Sequence, residues 1–548
     1  MMRNFITLLF TLLSFFAVCQ SNLVEPDPIK EGVHQRNSGK ITFMPTSIPI
    51  ENYNESDFIS TITLSKDASL YIRPFLANSL TNYLHLLFPS ATAEELDKNG
   101  NFQFAFYVDG KLIYRENLHL GAFGLDNKNK ATVFSVPLFS SKNEDSWGRF
   151  LWNRFMMKGG EDALSSGTHL LKIEIRPYVI IASEKVGDVI ASGEITTVST
   201  KEPKIISEAD LLPSLIKDAE GWEKSDFPYQ TEKIKELKAA ILKESLKKIT
   251  SVLVIKDGKI LIEEYFNGAS RKTLHNTRSV GKTFTSALTG IALSEGLLKS
   301  AEQPLSDFYD LKKFDNYSNK KANVTIKNLL TMSSAFEGFD FDSNSPGNEE
   351  NMYPQKNWVA WTLNLPMASR EPGSEWAYFT AGIVVLGDIL DKHVPGRLEK
   401  YAAQKLFVPM GITKYKWQYT PQKVANTAGG LQLSSLSLAK FGQLYLNNGN
   451  WKGKQILPET WVAESHSKQM AVPTDSMNYG FLFWNKSYKG TNGPYESYFC
   501  SGNGGNKIHI FKELNTVVVI TATAYGTPYM HIQADRIIES YILPALGF

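Results

Sequence analysis

The sequence predicts an α+β protein: an antiparallel sheet flanked by helices, interrupted by a mostly helical insertion and preceded by an all-β sandwich. Three observations predict it. Residues 251–256 and 259–266 are β-rich runs joined by Asp257-Gly258, a strong two-residue hairpin signal. Residues 507–511 and 516–521 form a second such pair around Glu513-Leu514-Asn515. Between the two pairs, residues 300–480 alternate helical stretches with loops. Strands from both ends then build one sheet, with the helical region folded against it.

Taken in order, residues 1–19 read as an export signal, with Arg3 followed by a nearly continuous apolar run from Phe5 to Val18. That run is too short to span a bilayer, and no later stretch reaches spanning length. Cleavage after Cys19 makes a periplasmic or secreted protein; lipidation of Cys19 is the alternative, disfavoured by bulky Val18. Residues 20–40 are polar and read as a linker. From 41 to 200 the runs are strand-like (residues 41–44, 58–64, 102–108 and 170–175, with Asp109-Gly110 turning into 111–114) and predict a β-sandwich accessory domain. Residues 201–548 form the second domain. A charged helical segment near 232–248 leads into its first hairpin, and Ile532, Ile537, Ile538 and Tyr541 mark a final helix.

At 548 residues the chain is too long for one ordinary domain. Its 43% apolar and 21% charged residues are those of a globular protein. A formal net charge of +2 gives no global field for nucleic acid. With Cys19 and Cys500 as its two cysteines, the mature chain has no internal disulfide. Cys500 reads as a small buried strand residue.

The chemistry begins at Ser279-Val280-Gly281-Lys282. A serine three residues before a lysine at a helix start places hydroxyl and amine on one face, the minimum equipment for acyl transfer. The same spacing recurs at Ser214, Ser245, Ser318, Ser437 and Ser465. Only Ser279 follows a hairpin and opens an apolar helix, marked by Val280, Phe284, Leu288 and Ile291 with Gly296 as its stop. Gly281-Lys282-Thr283 imitates the end of a phosphate loop, but Asn276 stands where that loop needs glycine. No G-x-S-x-G or H-E-x-x-H occurs, and the nine histidines lack ligand spacing, so no metal or cofactor is expected. His275 and His509 read as structural.

Three segments stand in one order: Ser279-x-x-Lys282, Tyr378, then Ser501-Gly502-Asn503-Gly504-Gly505. Residues 326–334, 372–378 and 429–434 support them. Together, over about residues 215–548, they resemble the serine β-lactamase and penicillin-binding-protein superfamily, closest to its class C β-lactamase, DD-peptidase and esterase branch. The resemblance implies Ser279 as the acylated nucleophile, Lys282 and Tyr378 as base and proton shuttle, and the backbone N–H groups of Ser279 and Gly505 as the oxyanion hole. It places Thr380, Gly502, Asn503 and Gly504 at the substrate. The Lys282 ammonium is expected to favour the Tyr378 phenolate.

Two departures from the branch matter. Tyr378-Phe379-Thr380 replaces Tyr-x-Asn, losing an amide fork. Gly502 stands where lysine or histidine is common, so no cation meets the carboxylate of a penicillin or a D-Ala-D-Ala peptide; Lys507 or Arg278 could replace it. The expectation is an exported serine hydrolase acting on a small-molecule or peptide ester or amide, and a poor β-lactamase. The alternatives are a DD-peptidase-like protein, or a binding protein that acylates without turnover. Polysaccharide contact through the β domain is a further expectation.

Overall fold

The computed structural model describes residues 22–49, 51–65, 67–141, 146–199, 206–216, 221–473 and 476–548. The proposed export signal and Cys19 lie outside the described residues. Among the described residues, no helix is long and apolar enough to cross a membrane.

The N-terminal region is strand-rich. Its larger sheet runs Thr61–Thr63, Ala191–Ser199, Gly167–Ile181, Gly100–Val108 and Lys111–Asn117, with Ser183–Val186 pairing to the long strand. A smaller sheet holds Ile41–Met44, Leu70–Pro74 and Val136–Phe139. Alternate residues Phe102, Phe104 and Phe106 enter a core shared with Ile173, Ile175, Phe43 and Ile72, as the period of two requires. Helices Leu80–Leu87, Ala93–Asn99 and Trp147–Phe155, which a strand-only reading omits, join this core through Leu84, Leu96 and Leu151. Each starts at a capping side chain: Ser79, Thr92 and Ser146 accept the backbone N–H of Asn82, Glu95 and Arg149.

Residues 22–40 differ from the expected linker. Asn82 Oδ1 accepts the Leu23 and Val24 N–H groups, Asp27 N–H reaches Lys130 O, and Val33–Asn37 is a short helix. This polar strip docks because the region offers its backbone hydrogen-bond partners.

The second region is built on an eight-stranded sheet. Its order is Lys259–Tyr265, Ile249–Lys256, Thr516–Ala522, Asn506–Phe511, Gly493–Gly502, Trp484–Gly490, Asn478–Tyr479 and Met470–Ala471. The first hairpin turns on Asp257 at φ 52° and Gly258 at φ 75°, the two positive φ values of a type I′ turn. The two ends of the region meet in antiparallel register, Val252 opposite Ile520. Alternation sorts the strands between two cores: Leu253, Ile255 and Ile508 face Phe284 and Phe441, while Val252, Val254 and Ile520 face Ile234 and Ile537. Helices therefore cover both faces, and the intervening strands read as continuous apolar runs.

Several side chains tie the two regions together, among them Lys248 to Glu161 at 3.2 Å and one guanidinium that holds a carboxylate from each. Arg154, on the Trp147–Phe155 helix, bonds Glu350 through both terminal nitrogens at 2.6 and 3.2 Å, and bonds Glu116 through Nε at 2.9 Å. The Glu350 side chain is 7% exposed and that of Glu116 10%. Arg154→Met leaves two carboxylates uncompensated at the contact, an expected cost of about 3–5 kcal/mol. Calorimetry checks it: a lowered transition temperature in Arg154→Met is expected, and an unchanged one would mean that the pair contributes nothing net.

Candidate active site

The nucleophile turn is held in an uncommon backbone state. Ser279 lies in the 3-10 turn Arg278–Val280, which feeds helix Gly281–Ser294. Arg278 has φ 51°, a left-handed value that costs a long side chain about 1–3 kcal/mol. Its neighbours hold it there. Thr277 N–H and Oγ1 both reach Leu431 O at 3.2 and 2.6 Å, Arg278 N–H reaches Asn276 Oδ1 at 3.2 Å, and the guanidinium lies 4.7 Å from the Tyr525 ring centre. Leu431 belongs to the strand Leu431–Leu433, which pairs with His275–Asn276. The 429–434 segment therefore supports the turn.

Lys282, one helical turn on, is 2% exposed. Its Nζ donates to Ser279 Oγ at 2.8 Å and to Ala428 O at 2.6 Å. The Tyr378 hydroxyl lies within electrostatic reach of the same serine, and Lys282 Nζ stands 5.2 Å from the centre of its ring. The Tyr378 ring sits between Phe341, 5.3 Å away and 6° from parallel, and Trp484, 5.9 Å away and 25° from parallel. Such stacking fixes the ring by packing. Tyr378, distant in sequence, is thus brought beside the Ser279–Lys282 pair.

The electrostatics correct one expectation. Burial, and then the carboxylates of Asp340 and Glu349, push the Tyr378 phenol well above its usual range, with only the Ser279 hydroxyl acting the other way. The lysine was expected to draw out a phenolate; low-dielectric surroundings and two anions oppose it.

Asp340 has no counterpart in the sequence reading. Its carboxylate accepts Thr380 N–H at 2.7 Å and Glu349 N–H at 2.9 Å. Thr380 opens helix Thr380–His393, so the anion sits at a helix N-terminus. Thr380 itself is 2% exposed, and its N–H is committed to Asp340. The Asp340 carboxyl is pushed up to about 7, by burial first and Glu349 second, while the Thr380 bond and the Lys282 charge pull it down.

The sign of the consequence follows. An unfolded aspartate titrates near ~3.9, below the folded value. This group's contribution to stability is therefore greatest at low pH and falls as pH rises from about 4 towards 7. Asp340→Asn is expected to gain stability relative to wild type across that interval, read from melting temperatures at each pH. A constant difference would show that Asp340 does not titrate there.

The third segment closes the site from the sheet. Gly502 ends its strand against the nucleophile turn: a Cβ there would lie 2.3 Å from Thr277 O and 3.3 Å from Ser279 N. The missing cation thus has a steric reason, since no side chain fits. Asn506 pairs with Gly502, so residues 503–505 form the loop between two strands. Gly504 at φ 91° packs on the Tyr525 ring. Gly505 at φ 93° has its N–H 3.3 Å from Gly502 O, a long bond that a substrate oxygen would have to displace. Asn503 Oδ1 accepts Gly526 N–H at 2.7 Å, holding the loop to the next turn.

Neither candidate replacement cation lies free at the site. Arg278 is stacked on Tyr525. Lys507 stands opposite Ser501 in the ladder, one residue out of phase with Cys500 and Ile508. Cys500 takes a bond from Thr283 of the nucleophile helix, so alternation turns Lys507 to the other face. Burial pushes Lys507 down to about 8, and pushes the Cys500 thiol up to about 12. His275 is buried beside Thr250, and His509 beside Ser497. Among the described residues, no group of three or more His, Cys, Asp or Glu could hold a metal ion.

A family model described as Beta-lactamase matches residues 242–541. Among solved structures, an octameric penicillin-binding protein homologue from Pyrococcus abyssi is 19% identical, covering 56% of this chain and 76% of that one at a TM-score of 0.43. A penicillin binding protein from Bacillus halodurans is 19% identical, covering 54% and 98% at 0.44. A family VIII carboxylesterase is 18% identical, covering 58% and 98% at 0.44. No curated protein sequence matches the chain.

Proposed function

The chain belongs to the beta-lactamase family, and from that membership we propose an exported serine hydrolase that cleaves non-anionic esters or amides through an acyl-enzyme on Ser279. The observation that carries the reading is the cluster around one amine: Lys282 Nζ lies 2.8 Å from Ser279 Oγ and 5.2 Å from the centre of the Tyr378 ring. Lys282 is assigned as the base, and Tyr378, whose phenol burial pushes well above its usual range, as the group that stays protonated beside it. Tyr378 is the shuttle. The serine proton passes into this pair as Oγ bonds the substrate carbonyl carbon. The bond to the leaving group then breaks, and the leaving oxygen or nitrogen takes the proton. Water, deprotonated by the same pair, cleaves the acyl-serine.

Ser279 N–H at the helix start supplies one oxyanion donor, and Gly505 N–H the second once it exchanges Gly502 O for the substrate. Gly502, Asn503 and Gly504 shape the wall behind that donor. A non-anionic substrate fits the charges. Arg278 and Lys507 are engaged elsewhere, and the Asp340 carboxylate, close enough to act on Lys282 and Tyr378, opposes a substrate carboxylate.

The test compares p-nitrophenyl butyrate with nitrocefin. Ser279-dependent ester turnover at least about tenfold above nitrocefin turnover in kcat/KM is expected, a margin of about 1.4 kcal/mol in transition-state stabilisation. Faster nitrocefin cleavage would overturn the substrate reading. A burst of product that stops at one equivalent would make the protein an acylating binder instead.

A further inference from the structure

Between the two regions lies a cleft of about 740 Å³. Its walls come from both: Tyr114, Glu116 and Arg154 from the N-terminal region, and Asp340, Phe341 and Glu350 from the family domain. Phe341 is the link to the chemistry, since its ring lines the cleft and also stacks on Tyr378, whose other neighbours include Lys282. Phe341 is 65% exposed, so its ring is open to a molecule in the cleft. One aromatic ring therefore separates the cleft from the reacting atoms.

The lining has a definite character. Three carboxyl groups, those of Glu116, Glu350 and Asp340, line it beside one guanidinium and the His119 imidazole; Arg154 spends its nitrogens on the first two, and His119 Nδ1 lies 3.9 Å from Glu350. Asn351 also lines the cleft, and its Oδ1 is a buried acceptor without a hydrogen-bond donor in the structure. Rings of Tyr114, Phe341 and Trp361 stand among these acceptors. Acceptors, net negative charge and aromatic faces together suit a cation and repel a carboxylate.

We propose that this cleft is a substrate subsite for a positively charged amine carried by the group attached to the scissile ester or amide, with the N-terminal region supplying part of the specificity wall. The proposal rests on the hydrolase reading above and adds the substrate class. It gives the N-terminal region a role at the site itself, beside any polymer contact elsewhere on its surface.

The test uses the full chain and three p-nitrophenyl esters whose short acyl chains end in methyl, trimethylammonium or carboxylate. The expected order of kcat/KM is ammonium over methyl over carboxylate, with at least about a tenfold step between the charged pair. Ser343, exposed on the loop lining the cleft, gives the blocking variant. Ser343→Trp is expected to abolish the ammonium preference while p-nitrophenyl acetate, too short to reach the cleft, is hydrolysed within about twofold of wild type. Equal rates on the three esters, or a Ser343→Trp variant that loses acetate and ammonium ester together, would overturn the subsite while leaving the hydrolase standing. Absence of Ser279-dependent hydrolysis of any ester would remove both.

Discussion

Ser279→Ala is expected to lower kcat on p-nitrophenyl butyrate by at least ~10⁴-fold, the scale seen when a covalent nucleophile is deleted. Nothing nearby can take over. Cys500 is fully buried, bonded by Thr283, and its thiol is pushed up to about 12, so the reactive thiolate is scarce at neutral pH. The substitution removes one partially exposed oxygen and leaves the turn intact, since Thr277, Asn276 and Leu431 hold it. The variant should therefore melt with wild type while losing turnover. A Ser279→Ala enzyme within about tenfold of wild type would place the nucleophile elsewhere.

Tyr378→Phe is the second large effect, an expected ~10²–10⁴-fold fall in kcat, the range for removing a positioned proton carrier. The ring keeps its place between Phe341 and Trp484, so packing is preserved and only the hydroxyl group is lost. Melting temperature serves as the control and kcat as the readout. Activity retained in this variant would mean that Lys282 acts alone and that the raised phenol is a buried structural group.

Much of the fold was legible because its signals are local. Asp257-Gly258 fixed the first hairpin, and the β-branched runs at both ends found each other in one sheet, Val252 against Ile520. Ser279 and Lys282 were legible because one helical turn sets their distance whatever else happens. The N-terminal helices were signalled, too: Thr92 and Glu95 make a capping box, but strand runs on either side masked it. Asp340 and Phe341 were not legible. They lie among Asp, Ser, Asn, Gly and Pro, the composition of any surface loop, and their roles arise from Thr380 and Tyr378 some forty residues on. Arg154 and Glu350 are 196 residues apart, and no spacing rule reaches that far. The same holds for Gly502, whose missing side chain is explained only once its strand end meets Thr277. Reading Lys282 as a source of phenolate failed for a related reason: burial of the Tyr378 hydroxyl, and then two carboxylates from another segment, oppose it.

Intact-protein mass spectrometry tests the central claim most directly. The enzyme is mixed with p-nitrophenyl butyrate, quenched in acid within the first turnovers, weighed and digested. The account predicts a single added butyryl group, mapped to the peptide containing Ser279 and missing from Ser279→Ala. An adduct on another residue, or ester turnover that persists unlabelled in Ser279→Ala, would contradict it.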